Sequence, residues 1–233
     1  MIYDGVDLTK WLKTAYTRSL LPPLETVTAD VPGRTGSVFM RQQVKPSSIE
    51  VRARLILSPQ RYTYADRQEL AAALLKDSPR PLYLDDEPGI HRMAILTGDT
   101  ELSSLWYTGS TTLEFLLPDP IGRGATIRLP IQGANNEIEV GGNYPTRPRF
   151  EVTPASQSYL RITNADTGEL VQVNHSFTGS ENVVIDMESR LVTVDGIKAP
   201  VVTTSEYFEL APGKGRVSLS SGSGSVIFSE RWL

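Results

Sequence analysis

Short β-strand patterns dominate the second half of the chain, and they constrain its fold more than any other feature. From residue 144 onward, about eight runs of three or four mainly apolar residues are separated by turn signals such as Asp195-Gly196 and Pro212-Gly213. This region contains no run with the 3.6-residue period of a helix. Many short strands at even spacing are typical of an antiparallel β-sandwich, and we predict that fold here.

The first half combines strands with one helix. Residues 49–57 alternate between apolar and polar side chains, the period of a half-buried strand. Thr63, with Asp66 three residues later, approximates a capping box, and Leu70, Ala71, Leu74 and Leu75 share one helical face. A helix therefore begins near residue 63 and ends before Pro79, because the residue preceding a proline disfavours helix. The predicted fold class is mainly β.

A turn-rich segment precedes the strand at residues 49–57. Pro32, Gly33 and Gly36 have the composition of a turn, and the apolar residues that follow are bracketed by Arg34 and Arg41. Two interpretations are open for residues 31–45: an ordinary hairpin folded onto its own domain, or a protruding hairpin arm that docks on another surface. The candidate arm residues, which would lie between subunits if the arm docks on a neighbour, are Val31, Pro32, Gly33, Arg34, Gly36, Val38, Phe39, Met40 and Arg41.

Composition excludes several classes of function. The chain has 233 residues, 39% of them hydrophobic, and a formal net charge of -4, which fits a globular protein and lacks the basic excess of a nucleic-acid binder. It has no cysteine and only two histidines, His91 and His175, so we expect no disulfide, metal or cofactor. We also expect no signal peptide, no membrane span and a cytosol-like compartment.

Two polar motifs are candidates for a catalytic or phosphate-binding site. Asp85, Asp86 and Glu87 could serve in acid-base chemistry or bind a hard cation, but neighbouring side chains in a turn point in different directions, so we favour a solvated turn. The Gly/Ser run at 221–225 has no following lysine and is interpreted as a flexible turn. We therefore predict that the chain is not an enzyme, with a hydrolase acting through the acidic turn as a minor alternative.

His175 and Trp232 are the weak candidates for sugar binding, because a polar cluster and a stacking ring make the simplest lectin site. The alternative is a surface histidine and a tryptophan that seals the end of the sandwich.

A glycine- and asparagine-rich stretch at 122–142 interrupts the strand patterns. We place the domain boundary there, with one domain at 1–133 and the other at 134–233.

Taken in order, several fragments of the chain resemble one family. In the first half they are residues 3–8 (YDGVDL), 20–23 (LLPP), 31–36 (VPGRTG), 49–52 (IEVR), 81–88 (PLYLDDEP) and 115–120 (FLLPDP). In the second half they are residues 167–170 (TGEL), 184–187 (VIDM), 190–196 (RLVTVDG) and 208–213 (FELAPG). Together they resemble a siphophage distal tail protein, a component of the baseplate hub.

This resemblance implies an N-terminal domain that assembles into a hexameric ring, with the arm reaching the next subunit. It implies a galectin-like C-terminal sandwich on the ring's periphery. The implied partners are further copies of the chain, the tail tube protein, the tail-tip or baseplate hub protein and receptor-binding proteins. DNA would pass through the ring as cargo, and the ring would be part of the virion tail, assembled in the host cytoplasm.

Galectins bind sugar through a dense set of His, Asn, Arg, Trp and Glu on adjacent strands. Here only the isolated His175 and Trp232 are available, so sugar binding is not carried over. A carbohydrate-binding adhesin acting through the sandwich is the alternative function.

Overall fold

The computed structural model of the chain describes residues 1–19, 21–97 and 102–233. Strand accounts for 54% of the chain and helix for 9%, so the predicted mainly-β class is confirmed. The chain forms two compact units, the first comprising Met1–Gly122 with Leu233 and the second Arg123–Trp232. The structure thus divides the chain before the glycine-rich stretch, whereas we placed the boundary at 133/134 near its middle. Leu20 and the turn expected at 98–101 lie outside the described residues.

The first unit contains nine strands and two α-helices among its described residues, together with two short 3-10 turns at Leu8–Lys10 and Pro59–Arg61. The strands are β1 (Ile2–Tyr3), β2 (Val6–Asp7), β3 (Leu12–Thr17), β4 (Leu24–Asp30), β5 (Ser37–Val44), β6 (Ser47–Leu55), β7 (Arg80–Tyr83), β8 (His91–Thr97) and β9 (Ser110–Leu117). The helices are α1 (Tyr64–Leu74) and α2 (Leu102–Thr108).

Seven of these strands form one antiparallel sheet in the order β2-β1-β7-β8-β9-β6-β3. The alternation predicted for residues 49–57 is confirmed over β6, where Ile49, Val51, Ala53 and Leu55 are buried and the residues between them are exposed. Ile49 lies opposite Phe115 of β9, whose ring meets the Tyr3 ring edge-on at 5.1 Å. The buried face of this sheet is therefore the core of the first unit.

Helix α1 has the predicted cap. The Thr63 hydroxyl accepts from the Asp66 amide at 3.2 Å, and the Asp66 carboxylate accepts from the Thr63 amide at 2.9 Å. Leu70 and Leu74 are buried as expected, but Leu75 lies after the helix and is 81% exposed. The short helix α2 was not predicted.

The second unit is a sandwich of two sheets, as predicted. Its strands are β10 (Gly122–Gln132), β11 (Asn136–Val140), β12 (Arg149–Thr153), β13 (Gln157–Asn164), β14 (Leu170–Phe177), β15 (Val183–Asp186), β16 (Leu191–Val194), β17 (Ile197–Lys198), β18 (Gly213–Leu219) and β19 (Ser223–Trp232). One sheet has the order β17-β16-β15-β12-β19-β10 and the other β11-β18-β13-β14. Phe150 and Phe208 meet in the core with ring centroids 6.0 Å apart.

Two differences from the sequence prediction stand out in this unit. The glycine-rich stretch is largely strand, because β10 runs without interruption to Gln132 and pairs with β19. The strand predicted at 207–210 is not formed. Phe208 and Leu210 are buried, but the segment pairs only through a single bridge between Leu210 and Thr146. The apolar residues predicted a strand because they are buried, but the segment does not pair in a β-ladder.

Candidate assembly surface

Strands β4 and β5 form a two-stranded antiparallel sheet of their own, which we call the hairpin. Its turn has the Arg34 amide donating to the Val31 carbonyl at 3.1 Å, with Pro32 and Gly33 between them. Gly33 has φ 81°, the value that the third residue of a type II turn requires, and Pro32 has the φ that suits the second. The sequence therefore fixes this turn locally.

A β-bulge interrupts the hairpin at its most apolar point. Val27 pairs with Arg41 and Thr28 pairs with Phe39, so Met40 is the extra residue on β5. Phe39 and Met40 are each 62% exposed. Two large apolar side chains at adjacent, exposed positions of a two-stranded sheet form a projecting apolar knob, which is costly in water unless something covers it.

Polar contacts along the hairpin fix its shape. Lys45 pairs with Glu25 at 2.5 Å, and the Ser37 hydroxyl donates to Asp30 at 2.7 Å. The Lys45 amide donates to the Pro23 carbonyl at 2.8 Å, closing the base of the hairpin. These links join the two strands at both ends.

All nine arm residues named from the sequence lie on the hairpin or its turn, and the structure brings them together. All are exposed except Val38, which is half-buried. The other basic residues of this region are elsewhere. Arg52 and Arg54 lie on the exposed face of β6, and Arg54 is opposite Lys13 of β3 in the main sheet.

The acidic turn at 85–87 is an ion-pair cluster. The Met1 ammonium donates to Asp85 at 2.7 Å, and Arg18 pairs with Asp86 at 3.1 Å and with Glu87 at 2.5 Å. Arg92 also pairs with Glu87 and donates through Nε to the Pro120 carbonyl at 3.1 Å. Each carboxylate of the turn thus has a cationic partner.

Burial raises the pKa of the Glu87 carboxyl, but the hydrogen bonds and charges of Arg18 and Arg92 outweigh it and lower the pKa below its ordinary value. A carboxylate held ionised by two guanidinium groups is a poor general acid. Among the described residues, no cluster of His, Asp and Glu is arranged to hold a metal ion. The turn therefore has the geometry of a structural cluster.

The structure does not combine His175 and Trp232 into one site. His175 is exposed on β14, and its ring contacts that of Phe177 at a tilt of 57°, with the centroids 4.9 Å apart. Trp232 ends β19 in the other sheet of the sandwich, beside Gly124. Two residues on different sheets do not form the adjacent-strand set that a sugar site needs.

A pocket of about 430 Å³ at the base of the hairpin was not predicted from the sequence. Its apolar lining includes Leu21, Pro22, Pro23, Ile49 and Leu117. Arg18, Glu87 and Arg92 of the ion-pair cluster also line it. The available signal was the pair of prolines beside an apolar residue, because prolines cannot continue a strand ladder.

Two family models match the chain, one in each unit. Residues 6–117 match the phage tail protein RIFT-related domain, and residues 141–232 match the siphovirus-type tail component, C-terminal domain. The chain belongs to the siphophage distal tail proteins. Proteins of this family are structural components of the virion tail and baseplate hub. No protein with curated function matches the chain in sequence.

Three solved structures were compared with the chain. The crystal structure of SPP1 Dit (gp 19.1), described as a paradigm of hub adsorption apparatus in phages infecting Gram-positive bacteria, matches with a TM-score of 0.79 and 19% identity, over 100% of this chain and 98% of that one. At that identity the match shows a common fold. The baseplate of phage p2 with Sr matches at a TM-score of 0.47 and 10% identity, and with Ca at 0.45 and 8%, each over 93% of this chain and 90% of that one.

In the part of the chain that the structure describes, no helix is long and apolar enough to cross a membrane.

Proposed function

We propose that this distal tail protein is a non-enzymatic, ring-forming hub subunit. Six copies close a ring that joins the tail tube to the tail-tip proteins and surrounds a channel for the genome. The sandwich of the second unit offers a peripheral docking surface for other baseplate or receptor-binding proteins. The observation that carries the proposal is the hairpin, with Phe39 and Met40 exposed on a sheet that no further strand of the described residues joins.

An exposed apolar knob has a physical use in an oligomer. Contact between a knob and a different surface of the next copy is heterologous, and heterologous contacts generate rings when the rotation between copies closes. Moving a large apolar side chain from full exposure to full burial contributes about 1.5–3 kcal/mol. Phe39 and Met40 are each 62% exposed, so burying the exposed part contributes roughly 1–2 kcal/mol for each. Six such contacts would make closure cooperative.

The adhesin alternative rests on His175 and Trp232, which lie on different sheets. No geometric feature of the described residues favours it, and the tail-hub function is therefore the one we propose.

The proposal is tested by the mass of the full chain in solution, measured by light scattering at several concentrations. Wild type is expected to form a defined oligomer, and Phe39→Asp is expected to stay monomeric because an ionised side chain at the knob cannot be desolvated. Leu75→Asp is the matched control, since Leu75 is also a large exposed apolar residue of the first unit. Loss of assembly in both variants, or in neither, would contradict the role of the hairpin.

A further inference from the structure

The pocket at the base of the hairpin is open and partly apolar. Leu21 on its rim is 57% exposed, and Pro22 and Pro23 beside it have no amide hydrogen to donate to a sheet. Ile49 and Leu117, both buried, complete the apolar walls. We propose that this pocket receives Phe39 and Met40 of a second copy of the chain. The assignment rests on the proposed function and names the surface on which the hairpin docks.

The chemistry of the pocket favours an uncharged occupant. Its polar wall contains Arg18, Arg92 and Glu87, and Arg18 also pairs with Asp86 just behind it. Both guanidinium groups are thus already paired with carboxylates. An incoming anion would find no unpaired guanidinium, whereas aromatic and thioether side chains gain from apolar contact and from the faces of guanidinium groups.

The size of the pocket fits two side chains. Its volume of about 430 Å³ lies in the range of roughly 300–1,000 Å³ that holds small ligands in proteins. A phenyl ring and a methionine side chain from adjacent residues of one strand would enter together, because the bulge at Met40 breaks the normal alternation of side chains.

The hairpin cannot fill the pocket of its own chain. Its base is fixed where Leu24 pairs with Val44 and where the Lys45 amide bonds to the Pro23 carbonyl. Phe39 lies opposite Thr28, four residues further along β4. At about 3.3 Å per residue, this places the knob roughly 13 Å along the strand from the pocket rim. A paired hairpin does not fold back over that distance, so the occupant comes from another copy.

Knob and pocket are different surfaces, so the contact is heterologous. This makes a specific prediction for mixtures of two variants. Phe39→Asp destroys the knob and keeps the pocket, while Leu21→Asp destroys the pocket and keeps the knob. In a mixture, the intact knob of the Leu21→Asp variant binds the intact pocket of the Phe39→Asp variant. Growth then stops, because the remaining knob and the remaining pocket both carry a substitution.

The experiment measures masses of the two variants alone and in a 1:1 mixture by native mass spectrometry, with circular dichroism to verify folding. Each variant alone is expected to be monomeric, and the mixture is expected to give a heterodimer containing one copy of each. Replacing Leu21→Asp by Leu75→Asp in the mixture serves as the control, since that variant should assemble by itself as wild type does.

The outcomes separate the two proposals. If Leu21→Asp assembles like wild type while Phe39→Asp does not, the hairpin still acts in assembly but this pocket is not its acceptor. A mixture that stays monomeric also overturns the assignment. If wild type itself never assembles, both proposals fail.

Disulfide trapping gives a second readout, because the chain contains no cysteine. Under oxidation, a Phe39→Cys, Leu21→Cys double variant is expected to form covalent ladders between chains. A Phe39→Cys, Leu75→Cys variant is expected to form at least tenfold less of them. Equal yields from the two pairs would overturn the assignment.

Discussion

Removing Arg92 should destabilise the first unit strongly, because its guanidinium is the more buried of the two guanidinium groups in the ion-pair cluster. The residue is 7% exposed, and the Glu87 side chain that it pairs with is 17% exposed. Arg92→Met keeps the apolar stem and removes the charge. It also deprives the Pro120 carbonyl of its donor.

The size of the effect follows from these contacts. Breaking a buried ion pair by removing one partner costs about 3–5 kcal/mol. Arg18 stays 2.5 Å from Glu87, so the carboxylate keeps one cation and only part of that cost applies. Adding about 1 kcal/mol for the unsatisfied carbonyl, we expect the free energy of unfolding to fall by about 2–3 kcal/mol.

Urea unfolding followed by tryptophan fluorescence measures this change. In a Trp232→Phe background, the remaining tryptophans, Trp11 and Trp106, both belong to the first unit and report on it alone. Arg54→Met is the matched control, because Arg54 is exposed and its loss should change stability by no more than about 0.5 kcal/mol.

The double variant Glu87→Gln, Arg92→Met should recover part of the loss, since it removes the carboxylate that Arg92→Met leaves with one cation instead of two, while Arg18 keeps Asp86 as its partner. An Arg92→Met protein as stable as the Arg54→Met control would refute the structural role assigned to the cluster.

Three further predictions concern the second unit. Glu181 accepts hydrogen bonds from the Thr178 hydroxyl and from backbone amides, which lower the pKa of its carboxyl to about 2. These bonds stabilise the fold fully above the ordinary carboxyl pKa of 4.5, and the stabilisation is lost as the pH falls toward 2. Thr178→Val should therefore raise the pKa of Glu181 measured by NMR titration. Gly142→Ala should lower the free energy of unfolding of this unit, measured in urea, more than Gly168→Ala does. Both glycines have positive φ, but of the two only Gly142 would place a Cβ 2.2 Å from a carbonyl oxygen. Phe150→Ala should cost about 3–5 kcal/mol in urea unfolding, as its ring is fully buried.

Local signals predicted the parts of the fold that are locally determined. The alternation in β6, the Thr63–Asp66 cap and the Pro32-Gly33 turn each depend on residues close in sequence, and each is present. The arm residues could be named for the same reason, because turn, bulge and knob lie within one short hairpin.

The remainder depends on contacts between distant residues. The glycines at 122–142 resembled a linker, yet Gly142 is where a Cβ would lie 2.2 Å from the Arg231 carbonyl oxygen, so small residues here allow close packing. Similarly, Arg18 and Arg92 reach the acidic turn from two separate strands or their flanks. The pocket combines residues from five separated parts of the chain, and only the two prolines in one of these parts gave a local signal.

If identical subunits close a ring, the number of copies in the assembly reveals it. Native mass spectrometry of the wild-type chain, at concentrations where light scattering shows a single oligomer, gives that number from the 25.7 kDa mass of one chain. We expect six copies, with Phe39→Asp shifting the spectrum to one. A stable dimer, or a six-copy assembly that persists in Phe39→Asp, would rule out the proposed ring.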